Sequence, residues 1–483
     1  MNRTAIPSVL AITLSLLLAG PLRAQPAAAP AASKLPQPLL APPLIAPAAP
    51  VMIAPPPVPL PQPTAAQERW LNDWLRTGQQ QGLTAQERKT TTLSGDALLS
   101  ATLDHARALS TGRVAAADFL EIWALRPTPL NARPGLAQAL TQDRLSQWAA
   151  SLTPPYSGYD GLRRGLAIYE AIRDAGGWPA LSTGASPDAI RARLRNEDKA
   201  VAPGEPIVAV LQRAQQRYGL NPTGLLDART LKELNVPVDD RIAAIMANME
   251  RWRWMPRDLP VDRVQVNIAS ASLAVFKGDR PVASMRAVTG SPANATPMLS
   301  SSIHSIVVNP PWNVPASIAR RELWPKGRAT LIAQGYKIVG TPETGERIVQ
   351  PAGPASALGR LKFDFANPFA VYLHDTPSRA KFSSYDRLAS HGCVRLEKPV
   401  SLAELMVAGD PALAGRVQAL IDTGKTQRVT LPSQVAVYLL YWTAFAGNDG
   451  TMSFRADPYG WDKLLARKIE ASSSRATTIA LKD

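Results

Sequence analysis

Near Arg263 the hydrophobic repeat of the chain changes from a helical period to a period of two. Apolar residues spaced three or four apart bury one side of a helix, whereas strict alternation buries one face of a strand. The two patterns occupy different lengths of this chain, so the reading is an α+β multidomain protein with helices first and a mainly β half after them. Residues 65–200 read as helical. In residues 162–175, for example, Leu162, Leu166 and Tyr169 fall at i, i+4 and i+7, and the stretch stops at Gly176-Gly177 followed by Trp178-Pro179. No side-chain constellation here suggests chemistry, and the region reads as a helical scaffold.

A small module follows at residues 201–238. Leu211 and Tyr218 share a helix face, Gly219 ends that helix, and Asn221-Pro222-Thr223-Gly224 makes a turn. Asp227 then caps a second helix carrying Leu231 and Leu234. Pattern alone makes this more scaffold. Residues 239–262 read as a connecting helix. From residue 263, Val264, Val266 and Ile268 alternate with polar neighbours, and residues 273–276 lead into the turn Lys277-Gly278-Asp279-Arg280. Residues 285–288, 303–308 and 369–373 are also strand-like. A charged, helical insertion at residues 317–334 follows Pro315. The β half is expected to span 263–470, with a tail at 471–483.

The chain has 483 residues, too many for one compact domain, and 46% are hydrophobic, enough for sizeable cores. Arg3, an apolar run over residues 5–19, then Gly20 and Pro21 read as a signal peptide over residues 1–24. Cleavage after Ala24 places Leu22 at the −3 position, and an uncleaved segment would serve as an anchor. No cysteine near it allows a lipoprotein anchor, and no later stretch is apolar enough to span a bilayer. Residues 25–64, almost all Pro, Ala and Leu, read as an extended linker. The 53 Lys+Arg against 38 Asp+Glu give a formal charge of +15, which attracts polyanions or equally serves solubility. Export excludes intracellular nucleic acid as the partner.

Cysteine usage is the sharpest count. Cys393 is the only cysteine, so no intramolecular disulfide can form. By itself a lone thiol favours a buried bystander. Its surroundings argue otherwise. Of four histidines, His105, His304, His374 and His391, two lie just upstream, in the strings Tyr372-Leu373-His374-Asp375 and Ser390-His391-Gly392-Cys393-Val394-Arg395. A cysteine nucleophile needs a base or cation for its thiolate, donors for an oxyanion, and a tight turn. His374 at a strand end can reach the thiol. Gly392 permits the turn. Arg395 offers a fork matching a substrate carboxylate. His391 is expected to fix the loop by hydrogen bonds rather than act as the base. A metal held by His374, Asp375, His391 and Cys393 is a rival, but no zinc-type spacing is present.

The string Ser390-His391-Gly392-Cys393 resembles the signature of the L,D-transpeptidase family, with its YkuD-type catalytic domain, and Tyr372-Leu373-His374-Asp375-Thr376-Pro377 resembles that family's catalytic-histidine segment. Asn309-Pro310-Pro311-Trp312-Asn313-Val314-Pro315, Ala357-Leu358-Gly359-Arg360, Glu250-Arg251-Trp252-Arg253-Trp254 and the tail around Tyr441, Thr443, Asp449-Gly450 and Tyr459-Gly460 are similar to the large, periplasmic YcbB-like branch. The module at 201–238 resembles a peptidoglycan-binding domain. The resemblance implies a periplasmic enzyme of wall biogenesis. Cys393 would attack the third residue of a tetrapeptide stem, releasing D-alanine, and a second stem's amine would resolve the thioester as a 3→3 cross-link. His374 would hold a thiolate–imidazolium pair. The N–H groups of Gly392 and Cys393, with the Tyr372 hydroxyl, are the oxyanion candidates, and Ser390 and His391 support the loop. Arg395 and Trp312 would line the substrate groove. No metal or organic cofactor is implied, and carbapenems would acylate the thiol. Stem peptides and glycan strands are the expected partners, with other wall-synthesis enzymes as candidates and the membrane only if the signal segment stays uncleaved. Many family members have Asn where this chain has Arg395, and the insertion between Trp312 and His374 is short. Water, a free D-amino acid or a lipoprotein lysine therefore stand as alternative acceptors. The rival from another class is a non-catalytic wall-binding protein.

Overall fold

The computed structural model describes residues 58–83, 92–447 and 451–480. The expected signal segment, residues 25–57 of the expected linker, Asp449-Gly450 and the last three residues lie outside the described residues. Among the described residues no helix is long and apolar enough to cross a membrane.

The N-terminal part is helical: α1 (Ala65–Arg76), α2 (Gly95–Thr111), α3 (Ala132–Thr141), α4 (Leu145–Leu152), α5 (Ser157–Asp174), α6 (Pro187–Arg195), α7 (Ile207–Arg217), α8 (Ala228–Leu234) and α9 (Val238–Trp252). Local chemistry sets the starts. Thr64 and Gln67 form a reciprocal capping box on α1, Ser186 caps α6 ahead of Pro187, and Asp227 accepts from the Thr230 N–H at 2.7 Å to cap α8. α5 is followed by Gly176 and Gly177 at φ 95° and 72°, a left-handed exit that side chains disfavour. Helices α1–α4 enclose one apolar cluster around Leu71, Leu98, Leu109 and Leu136. Helices α5–α9 share another, in which Leu211 and Leu234 of α7 and α8 pack with Leu162, Tyr169 and Ile245.

The C-terminal part contains β1 (Asp262–Asn267), β2 (Ser272–Lys277), β3 (Arg280–Gly290), β4 (Leu299–Val308), β5 (Trp312–Asn313), β6 (Lys337–Val339), β7 (Arg347–Gln350), β8 (Leu361–Phe365), β9 (Leu373–His374), β10 (Leu388–Ser390), β11 (Val394–Leu396), β12 (Gln427–Leu440), β13 (Ala444–Ala446) and β14 (Met452–Phe454). Helices α10 (Ala316–Ile318), α11 (Arg328–Ala333), α12 (Pro399–Val407), α13 (Val417–Asp422) and α14 (Trp461–Ala480) are interspersed. The main sheet runs β10-β3-β11-β9-β8-β4-β12-β1-β2, and β2 also pairs with β3. The sheet therefore closes on itself, with β10 outside the ring. Closure leaves few free edges. Alternation sorts the side chains: Val264, Val266, Leu273, Phe363, Leu373, Val394 and Leu439 fill the interior, and their neighbours face out. The insertion after β5 forms a cap, a three-stranded sheet β5-β7-β6 with α10 and α11 around its own cluster of Val314, Leu323, Leu331 and Ile348.

One sequence expectation is corrected here. Residues 369–372 are not strand: the Asn367 side-chain oxygen accepts from the N–H groups of Phe369 and Val371, and Ala370 sits at φ 52°, so the chain turns. Strand β9 ends at His374, as expected, and lies between β8 and β11.

Candidate active site

Strand register assembles the site. Parallel pairing matches Val394 with Leu373 and Arg395 with His374, and the Val394 N–H donates to the Tyr372 carbonyl at 3.1 Å. The same register sets Cys393 beside Tyr372. Paired residues on neighbouring strands share a face, and residues two apart on one strand share it too. Leu373, Val394 and Leu396 point into the core, so Tyr372, His374, Cys393 and Arg395 all project outward together. On the other side Lys362 pairs with His374 and belongs to the same outward row. Lys362 lies 4.4 Å from the Tyr372 ring centroid and 2.7 Å from Asp364, which Arg428 also approaches at 2.9 Å.

Hydrogen bonds give each group a direction. The His374 Nδ1 lies 2.5 Å from the Asp375 carbonyl oxygen. A carbonyl can only accept, so Nδ1 carries the proton and Nε2 is the basic nitrogen. Its ring is edge-on to Tyr372 at 5.5 Å. The Tyr372 hydroxyl hydrogen-bonds the Cys393 thiol and is itself contacted by the Trp312 side chain of the cap. Burial pushes the Cys393 thiol up, opposed by hydrogen bonds from Tyr372 and by the charges of Lys362 and Arg395. Burial, with help from Arg395 and Lys362, pulls His374 down to about 3. Burial and the neighbouring thiol hold the Tyr372 hydroxyl well above its ordinary range. Both shifts run against the expected thiolate–imidazolium pair and toward a neutral thiol and a neutral imidazole, because an ion pair there would give up hydration for a site already carrying two cations. The Arg395 side chain has no hydrogen-bond or ion-pair partner among the described residues, and the pressure of burial lowers its pKa. An unpaired, partly buried guanidinium next to a thiol suits an incoming carboxylate.

The turn carrying the thiol is held from three sides. Gly392 sits at φ 112°, a conformation for which glycine is suited. The Gly392 N–H donates to Ser390 Oγ at 3.1 Å, and that hydroxyl donates to the Cys393 carbonyl at 2.5 Å. With its N–H engaged, Gly392 is removed from the oxyanion candidates, and the Cys393 N–H and the Tyr372 hydroxyl remain. The Gly392 carbonyl accepts from Thr296 Oγ1 at 2.8 Å, and the Thr296 N–H donates to Tyr459 Oη, which donates to the Gly290 carbonyl at 2.6 Å. His391 points away from the thiol, its Nε2 2.7 Å from Glu322 of the cap. Asp375 accepts from the Arg360 N–H at 2.8 Å. The candidate metal ligands therefore diverge, and among the described residues no group of three His, Cys, Asp or Glu is placed to hold a metal. Sequence reasoning missed Lys362, Asp364, Thr296 and Glu322. The first two occupy the polar positions of an alternating run, Leu361 to Phe365, and carried a signal; Thr296 and Glu322 meet the loop only through tertiary contact.

Residues 261–414 match the family model of the L,D-transpeptidase catalytic domain, and residues 65–166 match a model described as a scaffold domain. The chain is 31% identical to a Haemophilus influenzae protein named "Putative L,D-transpeptidase", over 41% of this chain and 44% of that protein; it spans less than half that relative's length. An L,D-transpeptidase structure from Stackebrandtia nassauensis is 13% identical over 53% of this chain and 90% of the other, with a TM-score of 0.22. One from Mycobacterium smegmatis is 15% identical over 37% and 58%, with a TM-score of 0.20. Neither score supports an inference about this chain. The closed sheet also needs β12, which pairs with β1 and β4 and lies beyond the matched residues.

Proposed function

We propose, from the L,D-transpeptidase catalytic domain at residues 261–414, that the chain is an exported enzyme that forms 3→3 peptidoglycan cross-links through a thioester on Cys393. The observation that carries this reading is the outward row of Cys393, Tyr372, His374 and Arg395 on adjacent parallel strands beneath the cap. As the Cys393 Sγ attacks the carbonyl of the third stem residue, its proton moves to His374 Nε2, the basic nitrogen. Negative charge on the carbonyl oxygen is met by the Cys393 N–H and the Tyr372 hydroxyl. Collapse breaks the C–N bond, and the imidazolium gives its proton to the departing D-alanine amine. A second stem's amine then attacks the thioester, loses its proton to His374, and the thiol is restored. Arg395 holds a donor carboxylate. Keeping thiol and imidazole neutral at rest lets the charged pair form only during attack.

The test is mass spectrometry of the full chain with a disaccharide-tetrapeptide. Wild type should gain the mass of the stem acyl group less D-alanine and yield 3→3 dimers, and Cys393→Ala should do neither. Dimer formation by the alanine variant would remove Cys393 from the mechanism. Tripeptide alone, with no dimer, would make water the acceptor.

A further inference from the structure

A cleft of about 1320 Å³ lies away from the thiol, between the outer face of β1–β3, the end of α7 and residues 382–388. Its floor follows from register: Arg263 pairs with Phe276, and Gln265 with Ala274, all facing out of the closed sheet into the cleft. Two features distinguish it from an ordinary surface groove. The first is an aromatic ledge in which Trp252 stacks on Trp442 at 4.8 Å with 16° between planes, and Tyr156 lies 5.4 Å from Trp252. The second is a group of three arginines outside any salt bridge, with Asp279 and Asp386 of the same lining acting on Arg263 and Arg387 only at longer range. Arg263, Arg387 and Arg455 line the cleft, and their hydrogen bonds go to backbone carbonyls: Arg263 to Pro260 and Gly278, Arg387 to Ser384 and Ser270, Arg455 to Arg217 and Phe454. No carboxylate pairs with any of the three among the described residues. The Nε atoms of Arg263 and Arg387 have no acceptor at all. Arg263 and Arg455 lie over Phe276 and Phe445 at 4.5 and 4.9 Å.

We propose that this cleft binds a carboxylate-bearing amino-sugar strand, sugar faces on the Tyr156–Trp252–Trp442 ledge and carboxylates toward Arg387 and Arg455. Flat apolar sugar faces stack on aromatic rings, and fixed guanidinium groups lacking a protein carboxylate attract an anion. Residues 382–388 form one wall and run directly through β10 into the loop carrying Cys393. A strand seated there lies against the segment that bears the nucleophile. The wall-polymer reading above supplies only the source of the strand; binding is measured on the resting full chain, so a failed turnover assay and a failed binding assay are separate results.

The probes are peptide-free strands of alternating N-acetylglucosamine and N-acetylmuramic acid, the neutral tetramer of N-acetylglucosamine, and the free stem tetrapeptide. By calorimetry the acidic strand should bind at least tenfold more tightly than the neutral tetramer, with affinity falling as salt rises. The double substitution Arg387→Gln/Arg455→Gln should weaken the acidic strand at least tenfold and the neutral tetramer little. Hydrogen exchange on the wild-type chain covers the case of a poorly folded variant: amides of residues 216–221 and 382–388 should slow with the acidic strand. Equal affinity for both sugars, binding of the stem tetrapeptide alone, or protection confined to other segments would overturn the proposal.

Discussion

At the scale of single residues, chemistry hinges on Cys393 and His374. Burial raises the Cys393 thiol, and hydrogen bonds from Tyr372 oppose the rise. The rate of iodoacetamide alkylation against pH should therefore have its midpoint above the roughly 8.5 of a free thiol. Tyr372→Phe removes a donor to the thiolate and should move that midpoint further up. A wild-type midpoint well below 8.5 would instead restore the imidazolium-held thiolate. Arg395 has a separate task. Arg395→Lys keeps the charge and loses the planar fork, so KM for a tetrapeptide donor should rise about tenfold or more, with a smaller change in kcat. An unchanged KM would mean the donor's carboxylate lies elsewhere.

At the scale of elements, the loop of residues 390–393 and the end of α9 matter most. Gly392 has room for a methyl group, whose closest neighbour would be the Ala295 carbonyl at 3.7 Å, but its φ of 112° disfavours any side chain. Gly392→Ala should cost about 1–3 kcal/mol and should slow acylation more than it slows alkylation by a small reagent, since the turn aims the Cys393 N–H as well as the thiol. Equal slowing of both would mean that the thiol alone has moved. Helix α9 ends in five consecutive joints. Glu250 accepts from the Arg113 N–H at 2.5 Å and pairs with Arg253 at 3.0 Å; Arg251 meets Asp462 at 2.6 Å; Trp252 stacks on Trp442; Arg253 reaches the Tyr159 hydroxyl at 3.1 Å; and Trp254 packs 5.8 Å from Trp123. Glu250 is fully buried. Glu250→Ala strands Arg253 without its carboxylate and should cost about 3–5 kcal/mol in denaturant unfolding. A loss under about 1 kcal/mol would show that this joint is dispensable.

At the scale of the whole molecule, the helical part and the closed sheet are tied through α9 and through the tail, so damage at either end reaches the site. Tyr459 is the clearest instance, since its hydroxyl steadies the Gly290–Thr296 segment that holds the Gly392 carbonyl. Acid should act on the helical part. His105 is buried against Trp74, with ring centroids 4.5 Å apart, and burial, aided by Arg253, pulls it down to about 4. Between pH 6.5 and 4 the unfolded chain binds this proton and the folded chain does not, so stability falls as pH falls through that window and is level above it. The loss from this group is on the order of 3 kcal/mol, and His105→Gln should flatten the slope. An identical pH profile in the variant would assign the acid sensitivity elsewhere.

The sequence by itself determined the fold class and the chemistry's raw material. The change of period near Arg263 divides helices from strands because each period can bury only one kind of surface. The cap at Asp227 and the exit at Gly176-Gly177 are local, and local chemistry is legible along a chain. So is a lone cysteine following two histidines. Tertiary structure decided the rest. Which residues share the outward face depends on Arg395 pairing with His374, and register is a contact between strands that no single strand encodes. That the run at 369–372 turns rather than extends followed from the Asn367 side chain. His391 turned to Glu322 because the cap folds over the loop, and the shifts of Cys393 and His374 come first from burial, which exists only once the barrel, cap and tail have closed around them.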